Sequence, residues 1–187
     1  MVEQTFDAGS GGRLGWVMTV EEQVRRFVGP SLLWRAETVL AQARALLGDA
    51  RAETLATDRF RIAHLAALRG TAALLSVVTS TAIPVRRRPT SAWVLLERAL
   101  PEFADWAAYF AAGQGQRAAA DAGVRGAVTG AEADDLIEAT TTFLGLVEAA
   151  VVEATLRGGR ADAPTLVAAL GPLDWPPQRV GHRAEAS

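Results

Sequence analysis

The chain has 187 residues, half of them hydrophobic and only 6% aromatic, with a formal net charge of −2. That length suits one domain with tails. With no Cys and only two His, it excludes a disulfide framework, a thiolate metal site and a Cys nucleophile, and it leaves no global attraction to nucleic acid. Alanine is the commonest residue, which favours helix over strand. Lys and Asn are absent and all 19 basic residues are Arg, a pattern of GC-rich coding rather than of chemistry.

The N-terminus carries Glu3 and Asp7 and lacks the basic-then-apolar pattern of a signal peptide. The longest uncharged run, Gly70 to Val85, spans about 16 residues, short of the ~20 that a membrane helix needs. No membrane association and a cytoplasmic location are the expectations.

Residues 1–18, with Ala8-Gly-Ser-Gly-Gly12, read as a tail. Thr19-Val-Glu-Glu22 spells a capping box and starts a short helix that Gly29-Pro30 should stop. Ser31 then caps a first long helix with the apolar line Leu33, Ala36, Leu40, Ala43 and Leu47, ended by Gly48. A second helix is expected from about Ala52 to Thr81, with apolar lines through Phe60, Ala63, Ala67, Leu74, Val77 and through Leu65, Leu68, Ala72, Leu75. Pro84 and Pro89 make the following Arg-rich segment a connector.

Thr90 or Ser91 caps a third helix with Trp93, Leu96, Leu100, Phe103, Ala107 and Phe110 in phase. Pro101 sits in its middle, where Pro suits a first helical position, so the segment reads as one kinked helix or as two helices meeting there. Gly113 and Gly115 weaken it without necessarily ending it before Gly123. Thr129-Gly-Ala-Glu132 is a second capping box. It opens a fourth long helix to about Arg157, with Asp134 and Asp135 at its positive end and Gly158-Gly159 as its stop. Pro164 to Leu170 form one or two turns, and residues 171–187 read as tail.

The expected fold is therefore all-α, an antiparallel up-and-down bundle of four long helices with a short N-terminal helix. The bundle should occupy residues 31–157, between an N-terminal tail (1–30) and a C-terminal one (158–187). Trp34, Phe60, Trp93, Phe103, Trp106 and Phe110 should supply much of its buried volume.

Phosphate loops, His-Glu-x-x-His, Gly-x-Ser-x-Gly and dinucleotide fingerprints are absent, so no cofactor and no metal are expected. Glu102 and Asp105 share a helix face and could form half of a weak divalent site, but acidic residues outside an apolar line are ordinarily solvated. Arg86, Arg87 and Arg88 form the one cluster of charge that stands out, able to grip phosphates bidentately or simply to be solvated. His64 falls between the two apolar lines of its helix, where a histidine is buried and hydrogen-bonded to a neighbour. Arg59 precedes it by five positions, which on one helix turns the two side chains about 140° apart. A shared site would need a second copy of the chain.

The run Arg59 to Ser76, then Ser91-Ala-Trp93, Pro101-Glu-Phe-Ala-Asp-Trp106-Ala-Ala-Tyr-Phe110 and Ala133-Asp-Asp-Leu136, resembles an actinobacterial subfamily of the HEPN superfamily (higher eukaryotes and prokaryotes nucleotide-binding domain). The resemblance covers about residues 31–156. It implies an all-α up-and-down bundle, commonly a homodimer. Many HEPN proteins are metal-independent ribonucleases, and others bind RNA or act as toxin components. The ribonucleases carry Arg-x4–6-His near the start of the last long helix. Here that position reads Thr129-Gly-Ala-Glu-Ala-Asp-Asp135, without Arg or His. Arg59-x4-His64 matches the spacing in the second helix instead, with Phe60 after the Arg. The expectation is a non-catalytic bundle that binds RNA, through Arg86, Arg87 and Arg88, or a protein partner. The alternatives are a ribonuclease using Arg59 and His64 as catalytic residues across a dimer, and a purely structural interaction module.

Overall fold

The computed structural model describes residues 20–78, 91–171 and 173. Among them the chain is helical, without a strand. The elements are α1 (Val20–Ala52), α2 (Ala56–Val77), α3 (Ala92–Ala99), a 3-10 turn (Pro101–Phe103), α4 (Ala104–Ala112), α5 (Gln114–Asp121), α6 (Gly130–Leu156) and α7 (Ala163–Leu170). The tail expected at 1–18, the Thr19 cap, the connector holding Arg86, Arg87 and Arg88, and all of the tail expected at 171–187 except residues 171 and 173 lie outside the described residues.

The expected break at Gly29-Pro30 does not occur: α1 is one helix through both residues. Proline removes one amide donor and crowds the preceding turn, but its fixed φ is helical. A helix can therefore continue through it with one bond lost. Gly48 does not end α1 either, and nothing lies within 4 Å of where its Cβ would be.

The core forms where α1, α2 and α6 pack on one another. The predicted stripes of α1 and α2 are buried there: Ala36, Leu40, Ala43 and Leu47 on α1, continued by Ala50, and Phe60, Ala63, Ala67, Leu74 and Val77 on α2. On α6 the buried residues include Leu136, Ala139, Phe143, Val147 and Ala154. Alanine at many of these positions lets the backbones approach. Gly70 marks a close approach of α2 to α6: a Cβ there would lie 2.4 Å from Leu144 Cδ2 and 3.2 Å from Phe143 Cε1.

Polar links show the directions of the helices. Arg44 forms an ion pair with Glu148, and Arg51 donates to Thr141 Oγ1 at 2.7 Å, so later residues of α1 meet earlier residues of α6. Arg59 pairs with Asp134, and Thr140 Oγ1 contacts Ala63 O at 3.5 Å, so α2 and α6 run the same way. α2 and α6 also have the length and apolarity of a membrane span, and their apolar stripes face this core.

The predicted third long helix is a succession of short ones. Leu100, just before Pro101, leaves the helical region (φ −139°, ψ 83°), and the 3-10 turn follows. α4 stops at Gly113, where α5 begins. The break redirects α4 so that Phe103, Trp106 and Phe110 enter the core with Trp93 and Phe143. Their rings meet at centroid distances of 5.1–6.3 Å. Trp106 and Tyr109 border no open surface; both are buried, and the Tyr109 hydroxyl reaches Asp135 O at 3.4 Å. Trp34 departs from expectation in the other direction and is 69% exposed. It follows Leu33 by one position, which turns it about 100° off the core stripe.

α6 starts as the sequence spells it. Thr129 Oγ1 accepts from Glu132 N at 3.2 Å, and Glu132 Oε2 accepts from Thr129 N at 2.8 Å. It ends on Gly158 (φ +82°) and Gly159 (φ +122°), whose N–H groups reach Thr155 O at 3.1 Å and Ala154 O at 2.8 Å. This left-handed turn brings Ala161 N to Val77 O at 3.1 Å and seats α7 on α6.

Candidate functional site

Arg59 and His64 leave α2 on different sides, as their spacing requires. Arg59 reaches across to α6 and pairs with Asp134 in the first turns of that helix, with its side chain 22% exposed. The carboxylate there also suits the positive end of α6. His64 turns the other way, into the aromatic layer built by α3 and α4, and is 1% exposed. Its Nε2 lies 2.9 Å from Phe110 O. A carbonyl only accepts, so Nε2 carries the proton and donates it there. Trp93 meets the imidazole edge-on at 5.5 Å, Phe110 edge-on at 6.5 Å, and Phe60 stacks at 6.4 Å.

One edge of His64 forms part of a groove of about 240 Å³ between α2 and α5, together with Leu68, Gln114, Arg117, Ala118 and Asp121. A chain of charges runs along it. Asp58 pairs with Arg61 at 3.2 Å, Arg61 Nε stands 3.8 Å from Asp121, and Arg117 Nε stands 3.6 Å from the same carboxylate. The two arginines and two aspartates balance, so the groove presents no net charge from this set. The Asp58–Arg61 step is readable from spacing alone. The contribution of α5 is not, because Arg117 and Asp121 look like an ordinary surface pair until the break at Gly113 lays α5 beside His64.

A second and larger groove, about 510 Å³, runs between α1 and α6. It is lined by Leu40, Ala41, Val151, Val152 and Leu156 with the Arg44–Glu148 pair and Glu37. Leu156 is 78% exposed and Val152 53%. Trp34 lies one turn before Glu37 on α1.

The sequence-predicted pair Arg59 and His64 is thus not brought together within one chain. Each side chain is held by an internal partner. Among the described residues no cluster of three or more His, Cys, Asp or Glu side chains has the arrangement of a metal site. Arg86, Arg87 and Arg88 fall outside the described residues.

A family model described as HEPN_SAV_6107-like HEPN matches residues 50–148, from the end of α1 to the last third of α6. No curated protein and no solved structure matches the chain.

Proposed function

The chain belongs to the SAV_6107-like HEPN family, and from that membership we propose that it works as a non-catalytic binding module whose partner is a protein, a second copy of the same chain included. With the α3–α5 run taken as one stave, its helices are read as an antiparallel up-and-down bundle of four. The observation that carries the binding half is the apolar face of α1 and α6, where Val152 and Leu156 stand exposed in the larger groove and Trp34 stands exposed one turn before Glu37, which also lines it. Large apolar side chains grouped on one face mark interaction surfaces.

The non-catalytic half is supported by the engagement of Arg59 and His64. Metal-free RNA cleavage needs a base within reach of the 2′-hydroxyl and a cation at the phosphorane. Here the imidazole donates to a main-chain carbonyl and the guanidinium is paired with Asp134. The test is sedimentation velocity over a concentration series, beside incubation with RNA in chelator. The expected result is reversible dimerisation weakened by Trp34→Glu or Leu156→Glu, with RNA left intact. Metal-independent cleavage abolished by His64→Gln in a folded variant would replace this reading with the ribonuclease one.

RNA binding through Arg86, Arg87 and Arg88 is the second reading, favoured by three guanidiniums in one connector. It predicts low-salt RNA binding whose log–log salt slope falls by about one for each Arg→Ala substitution that removes a phosphate contact.

A further inference from the structure

α5 is an unusual element of this fold. It has eight residues and buries none of them completely. Only Ala120 packs partly against the core. A helix of this length is not stable in isolation, so α5 persists through what ties it down. Prominent among those ties are polar ones to α2 and α6. Asp121 faces Arg61 of α2 at 3.8 Å, and Gln116 Nε2 donates to Glu132 Oε1 of α6 at 2.7 Å. The Arg117–Asp121 pair is internal to α5.

Both ends of α5 are glycine joints. On the N-terminal side it meets α4 at Gly113, whose N–H bonds Phe110 O at 3.1 Å. A Cβ at this position would come within 3.3 Å of Phe60 Cζ and 3.4 Å of His64 Cδ2. On the other side the chain leaves through Gly123 and Gly126, both at φ +72° and both with open space around them. Glycines accept the dihedral changes of a hinge with little steric cost. Beneath α5 lies the 240 Å³ groove and the edge of His64. Elements with few buried contacts and exposed polar ties open at a fraction of the global unfolding free energy.

We propose that α5 is a hinged lid over His64, swinging about Gly113 and the Gly123–Gly126 loop so that the groove opens and the imidazole meets solvent. The lid goes beyond the binding reading and does not depend on it. In the open state the Arg61–Asp121 and Gln116–Glu132 ties are broken, while the aromatic layer of Trp93, Phe110 and Phe143 stays packed.

The two His of the chain make the test direct. In a His182→Gln background, carbethoxylation by diethyl pyrocarbonate reports His64 alone. The unmodified lid should allow slow reaction under native conditions. Asp121→Ala and Gln116→Ala should each raise the rate about 10-fold while leaving the urea midpoint nearly unchanged. Hydrogen exchange gives an independent readout: amides of residues 114–121 should exchange at least about 100-fold faster than those of α2. The proposal is overturned if α5 amides exchange at the same rate as α2 amides. It is equally overturned if His64 reacts only in proportion to global unfolding in every variant.

Discussion

Gly70 and Gly145 show how one substitution changes sign with its surroundings. Alanine in a helix interior gains about 0.5–1 kcal/mol over glycine. At Gly145, where nothing lies within 4 Å, Gly145→Ala should realise that gain as a higher urea midpoint. At Gly70 the new methyl would meet Leu144 and Phe143, both buried. Overpacking of a filled core costs about 1–3 kcal/mol, so Gly70→Ala should destabilise by about 1 kcal/mol. Leu144→Val should recover part of that loss, measured as the coupling in a double-mutant cycle. His64 belongs to the same scale. His64→Ala leaves a hole among Trp93, Phe110 and Phe60 and should cost about 2–4 kcal/mol of folding stability, read from chemical denaturation. Its burial was legible from its place between two apolar lines. Its partner was not, because Phe110 lies 46 residues away and no local pattern connects them.

Individual helices were most legible where local chemistry alone fixes an end. The Thr129–Glu132 capping box and the Gly158-Gly159 stop of α6 involve only neighbours in sequence, and both occur as spelled. Thr129→Ala should therefore cost about 1 kcal/mol, with Thr129→Ser largely neutral, both measured by thermal or urea unfolding. The Gly29-Pro30 stop, which α1 passes through, and the second break of the third helix at Gly113 depart from the sequence reading for a related reason. A proline weakens a helix by an amount that neighbouring structure can override, and Pro101 with Gly113 shapes a path that only packing decides. α7 offers a prediction with pH. Hydrogen bonds from the Thr165 side chain and backbone hold the Asp162 carboxyl below the usual aspartate value, with Arg157 helping and slight desolvation opposing. A depressed carboxylate contributes stability in full above its unfolded value and loses it as pH falls through the folded one. The cap of α7 should thus loosen below about pH 4, seen as faster amide exchange over residues 163–170, and Asp162→Asn should flatten that dependence.

Among the described residues the aromatic side chains are carried in two different ways, and the difference separates folding from association. Trp93, Trp106, Phe103, Phe110 and Phe143 fill the space that the small faces of α2 and α6 leave, and all are fully buried. Truncating one of them, as in Trp93→Ala, should cost about 3–5 kcal/mol. Trp34 makes no such contribution. A helical apolar line foretold which face of α1 enters the core, but Trp34 sits off that line, and composition alone counted it with the rest. Its exposure, one helical turn before Glu37 at the groove that Val152 and Leu156 line, gives it a role only if something covers that face. Trp34→Glu should therefore change the unfolding free energy of the monomer by no more than about 0.5 kcal/mol, the range of a surface substitution. The same change should weaken self-association measured by sedimentation, because a charge placed in an apolar interface is desolvated without a partner. Equal loss of stability and of association would place Trp34 in the fold rather than on its surface. Unchanged association would move the interface away from α1 and α6.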